Sequence, residues 1–206
     1  MKATRKPFYV LSGDAPAKQK ILIAALKLFV RDGLCETSVR DIAKVSGFSN
    51  PALFKHFAGK DALAEYLFER CYLELFHLVS RAARSEGNFA AKQHAVFAAY
   101  MAALEQDQDA VLFVQDNLRH FWRRMTLEVR KHSILGEVKM LLESGQREGV
   151  VTKTIDIGLL TAAWVGTLQQ FARVRYFGDF AESKSGQPAR GVLEALEMLL
   201  MRMAAA

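Results

Sequence analysis

Apolar residues recur along this chain at helical rather than strand spacing. Ile21, Ala25, Leu28 and Phe29 fall at i, i+4, i+7 and i+8, one face of a helix expected over residues 15–33 and closed by Gly33. A short second helix opens at Ser38. There Ser38-Val39-Arg40-Asp41 has the spacing of a capping box, in which hydroxyl and carboxylate each satisfy a free backbone amide. Ile42, Ala43 and Val45 supply its apolar face, and Gly47, followed by Phe48-Ser49, turns the chain. Pro51 suits the first turn of a third helix. Because a residue before proline avoids helical angles, Asn50 is the expected N-cap. That helix continues from Ala52 to Phe57, with Gly59 behind it.

Beyond Lys60 the expected helices lengthen. They fall at 61–84, with Leu63, Leu67, Cys71, Leu75 and Leu78 down one face, then 89–106, 109–121, 125–148, 156–177 and 189–205. Residues 178–188 have loop composition. No alternating strand pattern and no repeat occurs, so the expected fold class is all-α, with about nine helices.

Three helices within forty-odd residues, the last two joined by a tight glycine turn, make a helix-turn-helix unit. In such a unit the first helix of the pair crosses the phosphate backbone, and the second sets its N-terminal residues against base edges in the major groove. Charge supports this use. The net charge is +6, and residues 1–60 hold 11 Lys+Arg against 4 Asp+Glu, which leaves 17 against 18 for the other 146 residues. The excess positive charge is thus confined to the first third, as expected for a polyanion partner of that part alone; a solvated basic face is the plainer reading of charge by itself.

Other chemistry is sparse. Two cysteines, Cys35 and Cys71, are too few and too far apart for a zinc cluster and are expected to act as small apolar residues in a reducing cytosol. The longest uncharged run, 157–172, falls short of the roughly 20 residues that span a bilayer, so a cytoplasmic location is expected. The five His are scattered, and no nucleophile–base spacing, phosphate loop or metal motif is present, so no enzyme activity and no cofactor are expected. Asp116 and His120 stand four apart on a helix without a third ligand, and an ordinary surface histidine is the default.

The residues of the helix-turn-helix fit DNA. Asn50 carries the donor–acceptor amide that pairs with adenine, and the Ala52 methyl can touch a thymine methyl. Arg40, Lys44, Lys55 and His56 can bind phosphates, which positions a protein without reading sequence. Lys60 stands just before a helix N-terminus, where free amides and the positive end of the dipole favour a phosphate. Ile42, Val45, Leu53 and Phe57 are expected in the core, facing Leu28 and Phe29; His56 is open between phosphate contact and surface packing. The basic arm Lys2–Lys6 either tracks the DNA, as basic arms do, or is a disordered tail.

The stretches ILIAALKLFVRDG, TSVRDIAKVSGFS and ALFKHFAGKDAL, with the spacing between them, resemble the DNA-binding domain of the TetR family of repressors over about residues 15–62. The resemblance implies a flexible arm at 1–14, a helix-turn-helix domain at 15–60 and a helical effector-binding and dimerisation domain at 61–206. It implies that Lys60 contacts backbone phosphate, that Ser38 and Arg40 approach DNA from the second helix, and that Asn50, Pro51, Ala52 and Lys55 face the groove; Ser49 is counted with them as DNA-binding. Two residues depart from the pattern. Phe54 stands where a tyrosine hydroxyl commonly binds phosphate, so its role shrinks to packing or sugar contact, and Pro51 removes one amide from the helix tip.

The resemblance also implies a palindromic duplex operator, a homodimer and a small, largely apolar effector. Candidate pocket residues are Phe97, Met101, Phe113, Asn117, Phe121, Trp122, Trp164, Leu168 and Phe171, with ordinary core packing as the rival for each. Arg119, His120 and Gln169 are further polar candidates. Gly158, Ala162 and Gly166, with the stripe Leu193, Leu196, Leu200 and Met203, read as a dimer interface, packing within one chain being the alternative. A DNA-binding protein that answers to a protein partner instead of an effector is the competing class.

Overall fold

The computed structural model describes residues 7–178 and 190–205. The N-terminal arm Lys2–Lys6 and most of the expected loop at 178–188 lie outside them. The described chain is helical, with ten segments: α1 (Pro16–Asp32), α2 (Val39–Ser46), α3 (Asn50–Phe54), α4 (Lys60–Ala83), α5 (Phe89–Gln106), α6 (Gln108–Phe121), α7 (Leu127–Arg130), α8 (Ile134–Glu148), α9 (Ile157–Phe177) and α10 (Arg190–Ala204).

The helix expected at 125–148 is broken into α7 and α8. The break follows from two N-caps: Thr126 Oγ1 accepts the Val129 amide at 3.3 Å, and Ser133 Oγ accepts the Gly136 amide at 3.0 Å. Hydroxyls that satisfy the free amides of a helix start favour two starts over one continuous helix.

The described residues group into two compact units. The first comprises the chain up to Glu74 together with Glu105–Arg130; the second comprises Leu75–Leu104 and the chain from Lys131 onward. In the first, Ile21, Leu22 and Phe29 of α1, Ile42 of α2, Leu53 of α3 and Phe68 of α4 are buried with Phe113 and Phe121 of α6. Phe29 stacks on Phe113 with ring centroids 5.8 Å apart, and Phe68 meets Phe121 at 5.0 Å. Residues 7–14, expected as the end of a free arm, belong to this packing: Tyr9 and Val10 are buried, and the Asp14 carboxylate accepts the Leu11 amide at 2.8 Å. Aromatic and aliphatic side chains so close to a core leave water, and the segment follows them.

In the second unit α8 packs on α9 and α9 on α10. Phe97, Met101, Leu141, Leu142, Trp164, Leu168, Phe171 and Leu200 are buried there. Glu137, itself buried, takes the Arg84 guanidinium on both oxygens, at 3.0 and 2.6 Å. Tyr100 donates its hydroxyl to the Leu168 carbonyl at 3.1 Å.

Candidate nucleic-acid interface

The site begins with α2, which has only eight residues and needs its ends fixed. Both halves of the expected capping box are present: the Asp41 amide donates to Ser38 Oγ at 3.2 Å, and the Ser38 amide donates to Asp41 Oδ2 at 3.0 Å. These hydrogen bonds from Ser38 hold the Asp41 carboxyl below its ordinary range. Gly47 ends the helix at φ 76°, a left-handed conformation that costs glycine little.

The third helix differs from expectation at its first residue. Asn50 is the first helical residue, and extended Ser49 (ψ 158°) stands in the cap position without a side-chain cap bond. The reason is in the backbone: the Ala52 and Leu53 amides donate to the Ser49 carbonyl, at 3.0 and 3.2 Å, so the first turn closes on Ser49. Pro51, with no amide to satisfy, fits that turn.

Leu53 and Ile42 are fully buried and Phe57 nearly so, packing its ring against Tyr66 at 5.4 Å. Val45 is a correction: expected in the core, it is 53% exposed. The buried arc of α2 is Ile42, Ala43 and Ser46. Val45 lies on the opposite side of Ile42, about 60° round the helix from it, and so turns outward. Its exposure adds it to the α2 surface, and which arc of so short a helix is buried is set by packing, not by the sequence of α2.

The residues expected at DNA are all left at the surface. Ser38, Arg40, Lys44, Ser49, Pro51, Lys55 and His56 are exposed, and Asn50, Ala52 and Lys60 are half-exposed. Phe54 shows 52% of its surface, so it does not serve as core. Among the described residues Arg40, Lys44 and Lys55 enter no ion pair, which leaves three positive charges available to a polyanion. His56 remains at the surface with its ring against Phe57, centroids 6.4 Å apart. Lys60 is already engaged: its ammonium donates to the Leu34 carbonyl at 2.6 Å and the Cys35 carbonyl at 3.3 Å, tying the start of α4 to the turn after α1.

The other expected sites are distributed differently. Phe113, Asn117, Phe121 and Trp122 belong to the first unit, where Phe113 and Phe121 are core, Trp122 meets Tyr72 edge-on and Asn117 donates its amide to the Phe113 carbonyl. Phe97, Met101, Trp164, Leu168 and Phe171 are buried in the second. Of the expected interface stripe on α10, Leu196 and Leu200 are buried within the chain and Leu193 and Met203 half-buried. The face of α10 left in solvent carries Met198 and Leu199 instead, because the first stripe is the one that packs on α9, where Thr167 Oγ1 lies 3.8 Å from Met203 Sδ. Gly158 and Ala162 on α9 are exposed and Gly166 half-exposed. Asp116 and His120 are exposed, and no group of three His, Cys, Asp or Glu able to hold a metal exists among the described residues. No helix among them is long and apolar enough to cross a membrane.

A capped short helix, a glycine turn and a second short helix, with amide and cations outward and aliphatics inward, define a helix-turn-helix DNA-binding protein. The profile of bacterial regulatory proteins of the tetR family matches residues 21–67. The HTH-type transcriptional repressor KstR2 of Rhodococcus jostii is 27% identical over 162 residues, covering 75% of this chain and 79% of the relative. Among solved structures, the ketosteroid transcriptional regulator KstR2 of Mycobacterium tuberculosis superposes with a TM-score of 0.79 at 21% identity, over 98% of this chain and 100% of the other. A putative tetR family transcription regulator from Shewanella gives 0.66 at 26% identity, over 92% and 98%. Residues 21–67 thus match the regulatory-protein domain of the tetR family, and the chain shares its fold with solved regulators of that family over nearly its whole length.

Proposed function

We propose that this regulator is a repressor that binds a palindromic operator as a homodimer and is released from it by a small, largely apolar effector. The observation that carries the DNA reading is the outward set on α2 and α3. Asn50 and Ala52 sit in the first turn of α3, and Arg40, Lys44 and Lys55 enter no ion pair among the described residues. Asn50 and Ala52 read bases in this scheme, and the cations hold phosphates. Similarity to proteins named as repressors supports repression over activation.

Homodimer formation is supported by apolar residues left in water on α9 and α10, among them Leu159 (64% exposed), Phe177 (74%), Met198 and Leu199, beside the small Gly158 and Ala162. Two-fold symmetry then sets two recognition helices one DNA turn apart, roughly 34–36 Å. The effector falls to the residues from 61 onward, with 15–60 as the reading head. Aromatic positions of the second unit support that assignment, since the indole Nε1 of Trp164 is buried there without a partner. A repressor works where the chromosome is, so the cytoplasm is its compartment.

Selection of bound fragments from the source genome tests this reading. A shared inverted repeat occupied by one dimer is expected, and fragments without one would overturn it. Asn50→Ala should relax preference at one base position per half-site, a discrimination on the order of 1–3 kcal/mol. Equal weakening on random DNA would remove Asn50 from base reading.

A further inference from the structure

In the second unit the first turn of α5, the end of α8 and the last turn of α10 surround an open cleft of about 300 Å³, lined among others by Phe89, Gln93, Glu148, Val150, Met201 and Arg202. Phe89 and Gln93 are only 5% and 3% exposed, whereas the other four are exposed. The buried pair therefore forms the floor and the rest the rim. Gln93 is unlike any other floor residue a packed helix needs: neither its Nε2 nor its Oε1 has a hydrogen-bond partner. Buried polar groups in folded proteins are almost always paired, and one that is not points to a missing partner.

The chemistry of that partner can be read from the site. A carboxamide offers N–H donors and a carbonyl acceptor side by side. A carboxylate would answer only the donors, and an ether or ketone likewise. A second amide edge, a carbonyl next to an N–H, answers donor and acceptor together through two parallel hydrogen bonds. The rim argues for a neutral molecule, because it carries one charge of each sign, Glu148 and Arg202, and Glu148 is held by accepting the Phe89 amide at 3.0 Å. Phe89, Val150 and Met201 offer the rest of the molecule apolar walls, and the volume is at the small end of ligand sites.

We propose that this cleft binds a small neutral molecule with a flat apolar body and an amide edge, a lactam or imide, which pairs with the Gln93 carboxamide. The site is separate from the aromatic positions considered for the effector. Its occupancy does not rest on the DNA-binding reading, although any effect of that occupancy on DNA would.

The test uses the full chain, ¹⁵N-labelled, with 1-isoquinolinone as the probe and its N-methyl derivative as the control that keeps the carbonyl and loses the N–H. Saturable shifts of the Gln93 side-chain amide are expected, with the N-methyl compound bound about tenfold more weakly. Gln93→Leu should lose binding by a similar or larger factor while its Tm holds or rises, since an apolar replacement removes an unpaired amide. Ala90→Trp, on the exposed rim, should close the cleft with Gln93 intact. Absence of shifts at millimolar probe overturns the proposal, as does equal binding of both compounds. Unchanged binding to Gln93→Leu, or a fall in its Tm, also overturns it, the latter because the amide would then serve the fold. Duplex binding by the same variants is read separately, so a failed cleft and a failed DNA reading give different results.

Discussion

In the head formed by α1–α3, charged side chains stand outside and most aliphatics are buried, with Val45 of α2 left in solvent. In the helices α8–α10 and the start of α5 the pattern is mixed: a glutamine lies on the floor of a cleft, and Met198 and Leu199 stand in water. The two regions differ because their elements differ in length. Helices of eight and five residues have little stability of their own and must fix their ends and anchor on one or two side chains. Whatever is left over is free for DNA. Helices of 15 to 21 residues close their backbone bonds internally, so individual side chains can be spent on recognition without loss of the element.

The comparison predicts where each region breaks. Leu53 is the one buried residue of α3, and Leu53→Ala should cost about 2–5 kcal/mol and abolish duplex binding. Hydrogen exchange would locate the loss in 39–57; a variant that still binds DNA would mean α3 is held by something other than that side chain. In the second unit the tight point is Gly145, where an added Cβ would lie 2.4 Å from Val151 Cγ2 and 2.7 Å from Phe89 Cδ2. Gly145→Ala should cost about 1–3 kcal/mol by overpacking, and Val151→Ala in the same chain should recover part of it. Full additivity of the two changes would show that the crowding is relieved elsewhere.

The first unit also holds a half-buried polar group, but a partnered one, which sharpens the contrast with Gln93. Asp107 caps α6 by accepting the Ala110 amide at 3.0 Å, and burial raises its carboxyl from 3.8 to about 6. A carboxyl whose folded value is raised favours the folded state when protonated. That contribution is complete below the unfolded value and is lost as pH rises through about 6. Asp107→Asn keeps a capping side chain and removes the titration. In urea unfolding the wild type should therefore lose stability relative to the variant from acid to neutral pH, and a constant difference across that window would refute the assignment. Asp109, raised by burial too, is present in both proteins and cancels in the difference.

Legibility divides along the same line. The capping box at Ser38 and Asp41, the Gly47 turn and the burial of Ile42, Leu53 and Phe57 are local properties, written in residues three or four apart. Val45 was not legible, because on so short a helix one apolar residue lies outside the arc that packs. The division between α7 and α8 turns on which of several hydroxyls cap, and the interface face of α10 turns on which of two apolar stripes meets α9. Gln93 lies in a run of alanines and aromatics whose spacing says helix and nothing more. Its lack of a partner is a property of three helices together.

Lys60 is where the two kinds of evidence meet, and its expected effect is the smallest. An ammonium has three N–H donors, and two of them are directed at the Leu34 and Cys35 carbonyls, which leaves one for a phosphate. Lys55 directs none within the described chain. Each phosphate contact contributes about 0.9 to the slope of log K against log salt, so Lys55→Ala should lower that slope by about 1 and weaken all sequences alike. Lys60→Ala should lower it by the same amount and also depress the Tm, because the turn after α1 loses its tie to α4. A depressed Tm with an unchanged slope would make Lys60 a purely structural lysine. The phosphate contacts would then be confined to α2 and α3, where the unpaired cations already stand.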